Sequence, residues 1–126
     1  MSNPTDFRRV LIVEDEPLIA MLVQEWLEEL HCQTIGPASS VSEALDLIGA
    51  TQLDAAILDV SLGKEDSFPI ADELKKRSVP FAFATGYGSD SLQPRFSDAV
   101  VLAKPFEHKH FCDVVANMLK GDGAAG

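Results

Sequence analysis

The chain is short of cysteine, of positive charge and of long apolar runs, and each shortage closes off a class of protein. Its two cysteines, Cys32 and Cys112, are too few for a disulfide framework and form no metal-type spacing with each other. Both are expected to stay reduced in a cytoplasmic setting. No apolar stretch approaches the length that crosses a bilayer, and the opening Met-Ser-Asn-Pro-Thr-Asp has no signal-peptide core, so no membrane partner is expected. Ten Lys and Arg stand against 20 Asp and Glu, a net charge of −10 that repels nucleic-acid phosphates. The only basic clusters, Arg8-Arg9 and Lys75-Lys76-Arg77, are too short to reverse that, so no nucleic-acid partner is expected. Neither a G-x-x-x-x-G-K-[ST] nor a G-x-G-x-x-G string occurs, which leaves nucleotide binding unsupported.

What is present is a single domain's worth of alternating elements. With 126 residues the chain can bury one core of ordinary size. Residues 1–7 read as a polar lead-in, 8–120 as the domain and 121–126 as a disordered tail. Strands are predicted at 9–13, 33–35, at the Ala55-Ala56-Ile57-Leu58-Asp59 run, at 81–84 and at 100–103. Leu18, Ile19, Leu22, Val23, Trp26, Leu27 and Leu30 stripe one helix that starts near Pro17. Ser40 and Glu43 form a capping box for a second, and Gly36-Pro37 is expected to end the short strand before it. Residues 61–67 read as a polar loop leading into a third helix that runs to about Arg77. Residues 86–97 are too broken by Gly, Ser, Asp and Pro for more than a shortened or mobile helix. Phe111, Val114, Val115, Met118 and Leu119 stripe the last helix. Strand and helix in alternation imply an α/β fold, a doubly wound five-stranded parallel sheet with helices on both faces.

Parallel strands bring their carboxyl ends to one edge, where ligands bind. At that edge the sequence places Asp59, Glu14-Asp15-Glu16 after the first strand, Thr85-Gly86 after the fourth and Lys104-Pro105 after the fifth. Converging carboxylates repel one another and need counter-charge, and Mg²⁺ suits them because it takes oxygen ligands and keeps several waters. Asp15 and Asp59 could bind it directly, with Glu14 acting through water. A carboxylate beside Mg²⁺, a lysine and a hydroxyl suit an aspartate that is itself phosphorylated, since phosphoryl transfer needs positioning and neutralisation more than proton chemistry. His31, His108 and His110 show no metal-ligand pattern and are read as surface residues.

With those positions in hand, residues 8–120 resemble the receiver domain of two-component response regulators. The resemblance implies a flavodoxin-like sheet of order 2-1-3-4-5, Glu14 and Asp15 as the acidic pair, and Asp59 as phosphoacceptor. It also implies Thr85 as switch hydroxyl, Lys104 as the phosphoryl-contacting lysine with a cis bond to Pro105, and the Ser61 carbonyl as a further Mg²⁺ ligand. Phe83-Ala84-Thr85-Gly86-Tyr87-Gly88 is similar to the Phe-Ala-Thr-Gly-X-Tyr subgroup of single-domain receivers, often partnered with HWE-type histidine kinases, except that Tyr87 stands one place early. Val101 occupies the usual position of the switch aromatic, so ordering of segment 86–97, with Tyr87 repacking, is the expected substitute. Gly63 replaces a common proline, which is expected to free its loop.

On this reading the chain is a cytoplasmic phosphoacceptor for a sensor histidine kinase or phosphotransfer protein, and acts on a downstream protein rather than through an output domain of its own. It is not an enzyme on a separate substrate, although it can promote its own phosphorylation and dephosphorylation. The alternatives are a pseudo-receiver interaction module that never reacts, and a haloacid-dehalogenase-like phosphatase. The second lacks the required acid two residues after the nucleophile, where Ser61 stands.

Overall fold

The structure, a computed structural model, describes residues 8–86 and 92–124, with side chains as far as Lys120. Five strands form the parallel sheet: β1 (Arg8–Val13), β2 (Cys32–Ala38), β3 (Ala55–Asp59), β6 (Phe81–Thr85) and β7 (Val100–Ala103). Their spatial order is β2-β1-β3-β6-β7, which is the flavodoxin-like 2-1-3-4-5 arrangement once the short hairpin β4 (Ser61–Leu62) and β5 (Glu65–Asp66) is set aside. Four α-helices cover it: α1 (Pro17–Glu29), α2 (Val41–Ala50), α3 (Phe68–Lys76) and α4 (His108–Ala124).

Alternation along the strands divides the interior into two cores, because successive side chains of a strand point to opposite faces. Leu11, Val13, Ala56, Leu58 and Phe83 face one core, shared with Ile48 of α2 and Leu74 of α3. Val10, Ile12, Ala55, Ile57, Ala82 and Leu102 face the other, shared with Val23 and Leu27 of α1 and Phe111 and Val115 of α4. The central strands are therefore apolar throughout, as a sheet covered on both sides requires.

Several boundaries differ from the sequence reading for identifiable reasons. Strand β2 runs on through Gly36-Pro37 to Ala38, with a register shift against β1 between Leu11 and Val13. An edge strand tolerates a proline without an N–H, and Gly36 has φ 100°, where a Cβ would sit 2.8 Å from the Ala38 nitrogen and 2.9 Å from the Ile12 oxygen. The polar stretch 61–67 contains the antiparallel β4–β5 pair, closed by Gly63 at φ 75°. A glycine first in a two-residue hairpin loop suits a type II′ turn, so the position that lacks proline holds a φ that proline cannot reach.

Helix α1 seats Ala20, Val23 and Leu27 on the sheet but leaves Leu18 78% and Leu22 38% exposed. At about 100° per residue, these two lie roughly 140° and 100° around the helix from Val23, outside the seated face. Helix α4 extends to Ala124 where a tail was expected from Gly121; glycine weakens a helix by about 1 kcal/mol without removing its amide donor. Between β6 and β7 the described residues hold one 3₁₀ turn, Pro94–Phe96, in place of a helix. Tyr87 lies outside the described residues, as do 1–7 and 125–126.

Ser40 accepts from the Glu43 amide and Glu43 reaches back to the Ser39 amide, so the capping pair forms with the return bond one residue earlier. The Glu65 carboxylate accepts from the Val41 amide at 3.3 Å and ties the hairpin to the start of α2.

Candidate functional site

Four strand ends deliver the site. Strand β1 stops at Val13 and hands on to Glu14, whose amide donates to the Ala38 carbonyl at 2.9 Å. Strand β3 ends at Asp59, and the next amides are held by the Ala84 carbonyl, which accepts from Val60, and by Asp59 Oδ1, which accepts from Ser61 at 3.2 Å. Strand β6 ends at buried Thr85, whose carbonyl accepts from the Lys104 amide at 3.0 Å. Lys104 follows β7, and its peptide bond to Pro105 is cis, as the resemblance implied.

The charged side chains then converge. Lys104 Nζ donates to Glu14 Oε1 and to Asp59 Oδ2, each at 2.9 Å. A carboxylate oxygen from each of Glu14, Asp15 and Asp59 lies within 4.8 Å of the other two. Glu14 and Asp59 are buried and Asp15 is exposed. An open pocket of about 510 Å³ lies over them, lined by Asp15, Asp59, Ser61, Thr85, Gly86 and Lys104 with Glu16, Val60 and Gly63 at its margin. Every site residue expected from the sequence is thus gathered at one edge of the sheet.

The electrostatics follow from that crowding. Burial, opposed by the hydrogen bond from Lys104 and reinforced by neighbouring Asp59, pushes the Glu14 carboxyl up to about 7. Burial works against a charged Lys104, but the hydrogen bonds and charges of Glu14 and Asp59 outweigh it and hold the amine above its ordinary value. Three carboxylates against one ammonium leave the cluster short of positive charge. A small hard divalent cation fits this all-oxygen donor set, and neither thiolate nor imidazole is among the converging groups.

Sequence reasoning passed over Glu16 and Gly63 as pocket-lining residues. Glu16 was visible only as part of a helix start; Gly63 reaches the pocket through the hairpin turn, which brings it within 3.9 Å of Asp15 Oδ2 when measured from an added Cβ.

An open parallel α/β sheet with an acidic pocket at its carboxyl edge, spanned by a strand-end lysine, defines a class of aspartate-centred signalling domains. The chain belongs to the response regulator receiver domain family, which it matches over residues 10–116. It is similar to SdrG from Sphingomonas melonis Fr1, whose solution structure shares 45% identity and a TM-score of 0.79 over 90% of this chain and 97% of that one. The response regulator TrrA from Thermotoga maritima, solved in complex with Mg(2+)-BeF, shares 26% identity and a TM-score of 0.79 over 90% of this chain and 100% of that one. The transcriptional regulatory protein PdtaR of Mycobacterium tuberculosis H37Rv is 37% identical over 103 residues, 79% of this chain and 50% of that protein. The chain therefore spans about half the length of the curated relative.

Proposed function

We propose that this chain accepts a phosphoryl group on Asp59 within a two-component relay. The observation that carries the proposal is the bridge from Lys104 Nζ to both Glu14 and Asp59, with Asp15 alongside. One Asp59 carboxylate oxygen forms a bond to phosphorus as the bond from phosphorus to the donor's imidazole nitrogen breaks, giving an acyl phosphate and a free histidine that takes up a proton. Lys104, freed from the Asp59 carboxylate charge, neutralises a phosphoryl oxygen, and the Thr85 hydroxyl donates to another.

Glu14, Asp15, Asp59 and the Ser61 carbonyl are the groups that would hold Mg²⁺. When bound, the ion supplies charge neutralisation to the transferring phosphoryl group. The acidic trio and the Mg(2+)-BeF complex of TrrA support this assignment. The donor is a sensor histidine kinase, of HWE type by the Phe-Ala-Thr-Gly motif, or a phosphotransfer protein. The downstream partner is a protein, reached in the cytoplasm. Among the described residues no helix is long and apolar enough to cross a membrane.

Incubation with a small phosphoryl donor and Mg²⁺, read by intact mass, tests the proposal. A single phosphoryl adduct is expected on the wild type and none on Asp59→Ala. Equal adduct on both would move the reactive residue elsewhere, and no adduct on either would favour a non-reacting interaction module.

A further inference from the structure

A second group of ligating side chains lies away from the acidic pocket, where the end of α1 meets the start of α4. His108 and Cys112 are four residues apart, on one face of α4. His108 Nε2 stands 3.7 Å from Cys112 Sγ and 2.9 Å from Oε1 of Glu29, the last residue of α1. Trp26 packs edge-on against the imidazole at 4.8 Å between ring centroids. Sequence spacing alone hides the group, because Glu29 and His108 are 79 residues apart.

Around a tetrahedral zinc ion, nitrogen and sulfur ligands lie about 3.5 Å apart and nitrogen and oxygen ligands about 3.3 Å apart, given bond lengths of roughly 2.0–2.3 Å. The two separations found here straddle those values. We propose that Glu29, His108 and Cys112 form a three-ligand site for a borderline-soft divalent cation of the zinc type, with solvent in the fourth position, clamping α1 to α4.

The surroundings agree with a cation at this place. Glu29 and Asp113 bring negative charge close to the Cys112 thiol. On binding, the thiol proton leaves to solvent, and the neutral imidazole ligates through Nε2 with its single proton on Nδ1. Among the described residues only the acidic trio has its ligand atoms all within 4.8 Å of one another, so capture here draws the exposed Glu29 side chain inward. Thiolate and imidazole select this cation class, whereas the oxygen-only pocket at Asp59 selects Mg²⁺.

Cobalt(II) titration of the reduced full chain in excess Mg²⁺ tests the site, since only thiolate ligation produces an intense near-ultraviolet charge-transfer band. The band is expected to saturate at one equivalent, to vanish in Cys112→Ser and in Cys112→Ala, and to persist in Cys32→Ser. His108→Ala should lower Co²⁺ affinity at least tenfold, and Glu29→Gln severalfold. Melting curves in chelator establish that the variants fold. No band in the wild type, a band that survives in both Cys112 variants, or wild-type affinity in His108→Ala would overturn the proposal.

Discussion

Lys104 and Asp59 meet at 2.9 Å although their strands do not pair, because β6 lies between β3 and β7. The lysine reaches past the end of β6, whose terminal residue Thr85 has its carbonyl bonded to the Lys104 amide. The backbone of one pocket residue thus anchors the side chain that spans the pocket.

Removing that amine leaves two buried carboxylates without their shared cation. Lys104→Met should cost about 1–3 kcal/mol of stability without Mg²⁺, less than a fully enclosed pair because the pocket is open to water. Adduct formation at Asp59 should fall at least tenfold. Urea unfolding with and without Mg²⁺, alongside intact mass, measures both; unchanged adduct would dismiss a role for Lys104 in the transfer.

The Glu14 carboxyl sets a pH dependence with a definite sign. Its folded-state value of about 7 lies above its ordinary 4.5, so the folded chain binds the proton more tightly than the unfolded chain. That contribution is complete below about pH 4.5 and is lost as pH rises through about 7, a change of roughly 3 kcal/mol. In Mg²⁺-free buffer, Glu14→Gln should flatten the fall in urea midpoint between pH 5 and 8. Excess Mg²⁺ should raise the wild-type midpoint more at pH 8 than at pH 5. A fall equally steep in Glu14→Gln would assign the dependence to another group.

Gly36→Ala tests a close backbone approach in the edge strand β2. An added Cβ meets two backbone atoms under 3.0 Å away, at a φ of 100°. A loss of about 2 kcal/mol or more is expected, by the mechanism of strain at a special φ and ψ. Thermal melting gives the comparison, with Gly49→Ala as control, since nothing lies within 4 Å of a Cβ there.

Arg95 joins the 3₁₀ turn to α3 through two bonds to Asp72, at 3.1 and 2.9 Å, and lies 4.7 Å from the centre of the Phe96 ring. Both charged side chains are about half exposed. A double-mutant cycle of Arg95→Ala and Asp72→Asn should therefore return only a small coupling that shrinks further in high salt. Arg95→Ala alone should lose more than that coupling, because it also removes the cation–aromatic contact. A large, salt-independent coupling in urea unfolding would mean that the pair does more than an exposed bridge.

The strands and the acidic pocket were legible because they depend on short-range signals. An apolar run that stops at Asp59, Glu14, Thr85 or Lys104 specifies both a buried strand and the residue at its open end, and parallel topology does the rest. Features that depend on distant partners were not legible. Nothing near Glu65 in the sequence points to the Val41 amide, 24 residues away. Leu18 and Leu22 have the spacing of a buried stripe, yet a stripe seven residues wide exceeds the face that the sheet can cover, and the helix turns its Val23 side inward. Gly36-Pro37 reads as a break, but an outer strand needs amide donors on one side only.

The hairpin after Asp59 carries the last consequence. Its first residue gives an amide to the Asp59 carboxylate, and Glu65, the first residue of its second strand, accepts from the opening amide of α2. A short ribbon thereby joins the amide beside Asp59 to a helix on the flank of the molecule, away from the acidic pocket. Glu65→Gln would slacken that tether while leaving the Asp59 carboxylate in place.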